Sequence, residues 1–138
     1  MRAFSRGLRK SPLGDRLHIS VDIDPSCPQY GAPPDRFWHL IVGDSRKQST
    51  VDKVKRLAGD RKADVLFIDS DHTYEQMKAE LEAWKCMASD QTTWLFHDTW
   101  IDGQYQKMTD AIKEFAKREG WRYEDVSKEC NGLGRMVK

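Results

Sequence analysis

The 138 residues, 16.0 kDa in all, fit the usual size of one domain, so a two-lobed enzyme is not expected and residues 1–138 read as a single folding unit. Hydrophobic residues make up 38% and charged residues 33%, which supports one core under a well-solvated surface and excludes disorder as the main state. With 23 Lys and Arg against 22 Asp and Glu, there is no electrostatic ground for nucleic acid or an anionic membrane as partner, and a small neutral or mixed-charge ligand fits better.

In chain order, Met1–Leu8 reads as a first helix, followed by short apolar runs at Leu17–Ile23 and Phe37–Val42 that read as strands. Pro25–Asp35, with its Pro-Pro pair, reads as a loop between them. Ser49–Ala58 sets Val51, Val54 and Leu57 on one helical stripe, with Ser49 and Asp52 spaced as a variant capping box and Gly59 placed to end the helix. A third strand is expected at Val65–Ile68. A helix from Tyr74 to Ala88 follows, with Met77, Leu81 and Trp84 on its apolar face and Thr73 and Gln76 as a capping pair. Thr93–Phe96 reads as the fourth strand, and Tyr105, Met108, Ile112 and Phe115 form a further helical stripe stopped by Gly120. Trp121 then opens a C-terminal strand pair with a turn near Asn131-Gly132. The strand runs are almost continuously apolar, as expected of strands covered on both faces in a parallel sheet. Alternation of such strands with helices implies an α/β fold with right-handed crossovers.

Three widely spaced cysteines, Cys27, Cys86 and Cys130, match neither a disulfide framework nor a metal clip, and reduced thiols in a cytoplasm are expected. No apolar run has the ~20 residues of a membrane span, and the N-terminus lacks a signal-peptide core. A soluble intracellular protein is the expectation.

In open α/β sheets, ligands bind beyond the carboxyl ends of the strands. All four such ends here carry carboxylates: Asp22-Ile23-Asp24, Gly43-Asp44-Ser45, Asp69-Ser70-Asp71-His72 and His97-Asp98-Thr99. Any one of these acids could instead cap the next helix. If the third and fourth strands are neighbours, Asp69, Asp71, His72, His97 and Asp98 share one mouth. Carboxylate oxygens there suit magnesium, calcium or manganese, and imidazoles admit zinc or iron. General acid–base work by His72 or His97 is the alternative, because an imidazole titrates near neutrality. His18 and His39 lie inside strands and read as structural. Trp84 and Trp121 read as packing residues, whereas Trp100 either packs or lines a ligand pocket. Gly132-Leu133-Gly134 is no phosphate cradle, since no strand precedes it and no helix follows.

The set Val21-Asp22-Ile23-Asp24, Val42-Gly43-Asp44-Ser45, Val65 through Tyr74 (VLFIDSDHTY) and Trp94 through Thr99 (WLFHDT) resembles class I S-adenosylmethionine-dependent methyltransferases. The branch it looks most like contains small-molecule O-methyltransferases and cephalosporin-hydroxylase-like proteins. The resemblance implies a Rossmann-like, mostly parallel sheet with helices on both faces and a C-terminal antiparallel strand pair. It also implies S-adenosylmethionine as cofactor and O-methyl transfer to a small-molecule acceptor. By that resemblance Asp22, with Asp24 beside it, binds the cofactor ribose, where a carboxylate can accept from a vicinal diol. Asp44 and Ser45 face the adenine. Asp69 and His72 are the catalytic positions, and Asp69, Asp98 and His97 hold a divalent metal such as magnesium, with Thr99 standing where an amide side chain often completes the site. The family's first strand and glycine-rich turn have no counterpart before Met1-Arg2-Ala3-Phe4-Ser5-Arg6-Gly7-Leu8, which resembles the helix that follows them. Such a chain would be a truncated or minimal member with weakened or lost activity, and a homo-oligomer could cover the sheet edge left by the missing strand. Two other readings keep the acidic mouth. One is a metal-dependent hydrolase or oxygenase-like enzyme, and the other a non-catalytic binding or assembly protein.

Overall fold

The computed structural model describes residues 17–26, 38–101 and 107–138. The expected first helix, most of the Pro25–Asp35 loop and Tyr105 lie outside the described residues. The chain divides into two compact units, one up to Gly59 and one from Asp60 onward.

In the first unit, β1 (His18–Asp22) and β2 (Trp38–Val42) pair in parallel, with Asp22 opposite Val42. The ladder closes with the Gly43 N–H donating to the Asp22 carbonyl at 2.8 Å, so both strand ends lie side by side. The indole N–H of Trp38 donates to Ser20 Oγ at 2.9 Å, and His18 Nε2 lies 3.5 Å from the same hydroxyl. Helix α1 (Gln48–Ala58) packs on β2 with Val51, Val54 and Ala58 buried. Its start differs from the expected capping box. The N-cap is Lys47, which makes no side-chain cap, while Ser49 lies within the helix and Asp52 accepts instead from the Gln48 amide at 2.8 Å. Gly59 ends the helix as expected, its N–H donating to the Lys55 carbonyl at 2.8 Å. Gly43 is required for a different reason: a Cβ there would lie 2.6 Å from Thr50 Oγ1, and Thr50 is buried.

The second unit is a four-stranded sheet in the order β3-β4-β6-β5. Its strands are β3 (Val65–Ile68), β4 (Thr93–His97), β5 (Arg122–Ser127) and β6 (Leu133–Val137). β3 and β4 run parallel, and β6 runs antiparallel to both β4 and β5. Helix α2 (Tyr74–Trp84), extended by a tight 3-10 turn at Lys85–Met87, packs against α3 (Lys107–Glu119). Thr73 caps α2 as its spacing predicts, its hydroxyl oxygen accepting from the Gln76 N–H at 3.3 Å. The first of these helices buries Met77, Leu81 and Trp84, and the second Met108, Ile112 and Phe115. At the periphery Glu82 pairs with Arg118 and, at 2.8 Å, with Lys85.

Trp94 is the hub of this core. It is fully buried, with the rings of Phe96, Phe115 and Trp121 at 6.3, 6.0 and 6.4 Å. Continuous burial of the strands, expected from their apolar runs, is not found: in β4 burial alternates, with Trp94 and Phe96 buried between half-buried Thr93, Leu95 and His97, and in β3 Phe67 is 54% exposed, so one face of each is the better covered. Two free cysteines, Cys86 and Cys130, occur among the described residues, and no described helix is long and apolar enough to cross a membrane. Because three aromatic rings rest on Trp94, Trp94→Ala is expected to cost about 3–5 kcal/mol in urea unfolding. Trp94→Phe, which keeps an aromatic ring and removes a buried indole N–H lacking a protein acceptor, should cost much less.

Candidate functional site

At the end of β1, the Asp22 carboxylate accepts from the Asp24 N–H at 2.9 Å, and Asp24 in turn accepts from the Ser26 N–H and hydroxyl at 2.8 and 2.7 Å. These local turns hold both acids in place. The Ser26 hydroxyl and amide keep the Asp24 carboxyl below its ordinary range. At the end of β2, Arg46 grips Asp44 with a fork, Nε to Oδ1 at 2.9 Å and Nη2 to Oδ2 at 2.8 Å. That fork, with the Arg46 N–H, holds the Asp44 carboxyl down to about 2. Asp44 is thus already paired, which its place in the sequence did not reveal. Ser45 beside it is half-buried.

In the second unit the parallel register sets Ile68 opposite Phe96, so the residues that follow each strand emerge next to one another. Neighbouring strands are the condition on which Asp69 and Asp98 could meet, and they are neighbours. One ligand atom each from Asp69, His72 and Asp98 lies within 4.8 Å of the others. His72 Nε2 is 2.9 Å from Asp98 Oδ2. His97 Nδ1 is 3.0 Å from Asp98 Oδ1 and 3.7 Å from Asp69 Oδ1. In the closer of these two approaches neither buried atom completes an aligned hydrogen bond. Asp71 is exposed at the turn. Asp69 is 52% exposed and Asp98 only 14%, so the two acids play unequal parts: one open to solvent, one lodged between rings.

Asp98 owes its direction to its backbone. Its φ is +55°, a left-handed conformation that aspartate tolerates better than most residues. The turn it begins is tied to the β5–β6 hairpin, where the Trp100 N–H donates to the Asn131 carbonyl at 2.6 Å. Gly132, with φ +97°, permits this approach, because a Cβ would lie 2.5 Å from the Trp100 nitrogen. Trp100 packs under Lys128, whose Nζ is 4.1 Å from the ring centre. Thr99 is buried with an Oγ1 that makes no protein hydrogen bond.

Burial pushes the Asp98 carboxyl up, but His97, the Asn131 carboxamide and the charge that His97 and His72 carry when protonated outweigh it and hold the group below its ordinary range. Two residues at this site carry no mark as site residues in sequence, whereas Ser70 stands within the Asp69–His72 run already singled out. Asn131 reads only as a turn residue. Glu80 is 2% exposed although it stands on the apolar side of α2, and a charge at such a helical position is the signal that could have found it. A lowered carboxyl in the folded state stabilises the protein when ionised, and the gain is lost as pH falls through the unfolded value near ~4 toward the folded one. Calorimetric melting should therefore show the advantage of wild type over Asp98→Asn shrinking between about pH 5 and about pH 3.

The sequence profile of the family described as methyltransferase domain matches residues 2–99. Among curated proteins no sequence matches significantly. In fold, the chain is similar to a crystal structure from Staphylococcus aureus assigned by name as a caffeoyl-CoA O-methyltransferase, with a TM-score of 0.67 and 15% identity over 88% of this chain. The chain spans 64% of the length of that structure. The α/β architecture is accordingly that of a Rossmann-like methyltransferase fold, and with its profile match covering well over half of its residues the chain belongs to the methyltransferase domain family.

Proposed function

We propose that the protein transfers a methyl group from S-adenosylmethionine to a hydroxyl of a small molecule, with His72 as general base. The observation that carries this reading is the 2.9 Å contact between His72 Nε2 and Asp98 Oδ2. An ionised carboxylate can only accept, so the imidazole proton sits on Nε2 and the basic lone pair on Nδ1. Asp98 thereby fixes both the tautomer and the direction of the ring, and His72 Nδ1 is the atom that takes the acceptor's proton. The cofactor supplies an electrophilic methyl group. For its ribose, Asp22 fits: one N–H occupies one of roughly four acceptor positions on the carboxylate, leaving capacity for a diol. Asp24, held by Ser26, supports the Asp22 turn. Asp44 and Ser45 are the adenine side, where Asp44 can meet the ligand only by sharing or releasing Arg46.

A second reading rests on the convergence of Asp69, His72 and Asp98. Two hard carboxylate oxygens and one imidazole within 4.8 Å suit a divalent cation such as magnesium or manganese. In that case Asp69 and Asp98 are the principal ligands, with His72 completing the set and His97 next to both acids. The cation would lower the acceptor's pKa in place of the base. The compartment in this proposal is the cytoplasm, in keeping with three widely spaced cysteines. A second copy of the chain is proposed to cover the outer edge of β3, which carries neither charge nor proline.

Calorimetric titration with S-adenosylmethionine is expected to show binding, and its absence at millimolar ligand overturns the transferase reading. In methyl-transfer assays over a panel of small hydroxylated acceptors, His72→Gln should lower kcat by about 10²–10⁴-fold with the cofactor affinity little changed. Added manganese restoring none of that loss favours the base, whereas loss of wild-type activity on chelation favours the cation. Light scattering of the wild-type chain should give a mass of at least two copies, and a monomer at high concentration rules out the edge-covering copy.

A further inference from the structure

Glu80 has no place in the chemistry above, yet its burial needs a reason. A carboxylate on the apolar side of a helix costs stability unless its oxygens are satisfied. Here Glu80 is 2% exposed, and the Ser70 hydroxyl donates to its Oε2 at 2.5 Å, the short end of O–H···O hydrogen bonds. Ser70 is the second residue of the turn that leaves β3, immediately after Asp69 and two before His72. The turn's ends are fixed by other means: Ile68 by the ladder to Phe96, Thr73 by its cap on Gln76. Between them the Asp69 carboxylate is half exposed, with His97 at 3.7 Å, so its position follows the path of the backbone beneath it.

We infer that Glu80 and Ser70 are positioning residues: the buried carboxylate anchors the middle of the β3–α2 turn to the helix and thereby sets Asp69 and His72 at the distances that bring them to Asp98. This rests on the site reading above but not on the choice between base and cation. Neither residue touches the reacting atoms, and a serine in the turn was free to point at solvent. Its tie to the helix body converts a loop into a rigid platform, which is what placement of two functional groups requires.

The test uses the full chain and four variants: Ser70→Ala, Ser70→Thr, Glu80→Gln and the double Ser70→Ala/Glu80→Gln. Each is measured at a temperature where it is fully folded by circular dichroism. Two readouts are taken, the ring ¹⁵N resonances of His72 at a fixed pH and the dissociation constant for manganese. Ser70→Ala is expected to move the His72 resonances and weaken manganese binding by about 10-fold or more, as loss of a supporting residue does at metal sites. Ser70→Thr, which keeps the hydroxyl, should restore both; Glu80→Gln, whose amide oxygen still accepts from Ser70, should lose less than Ser70→Ala, and the double variant should lose at least as much as Ser70→Ala. Wild-type resonances in Ser70→Ala overturn the inference. If the wild-type chain binds no manganese, the cation reading fails by itself and the His72 resonances decide the positioning role.

Discussion

The parallel pairing of β3 with β4 is the constraint from which the site follows. Opposing Ile68 to Phe96 brings the residues that follow them, Asp69 and His97-Asp98, side by side. A slip of one residue would send each strand's side chains to the opposite faces and separate the acids. That register is held from below by Trp94, whose contacts with Phe96, Phe115 and Trp121 join the sheet to α3 and to the residue that opens β5. The same packing that stabilises the second unit therefore sets the spacing of its polar end.

Charge at that end is managed by unequal burial. Asp69 stays in water and costs little. Asp98 is drawn inward, where loss of solvent is offset by two imidazoles and a carboxamide, leaving an acid that is ionised at neutral pH and strongly coupled to its neighbours. Glu80 extends the pattern into the interior. Both buried acids have polar partners, His72, His97 and Asn131 around Asp98 and Ser70 on Glu80, the arrangement under which buried acids are tolerated.

Much of this was legible from the chain alone. Four strand ends bearing acids, a Thr73 cap and a Gly59 stop are local signals, and each needs only a few neighbouring residues to be recognised. What could not be read are contacts between residues far apart or side chains that choose among several partners. The Asn131 carbonyl reaches Trp100 across 31 positions, by way of a hairpin that is visible in sequence although its docking on the turn after β4 is not. Glu80 meets Ser70 only because α2 folds back over the turn that precedes it. Arg46 closing on Asp44 and the missing cap at Ser49 are the converse case: several short-range pairings were chemically available, and the fold selected one. The exposure of Phe67 depends on what covers its face of the sheet, which an apolar run does not encode.

The contact between Gly43 and Thr50 links two positions that look independent in the sequence. Thr50 sits with its hydroxyl where a side chain at 43 would begin, so α1 rests directly on bare backbone. Homologues that carry alanine or serine in place of this glycine should show a smaller residue in place of the threonine, or a helix set further from the strand. The two sites should therefore covary, and a graft of either residue alone into a relative would carry a steric mismatch with it.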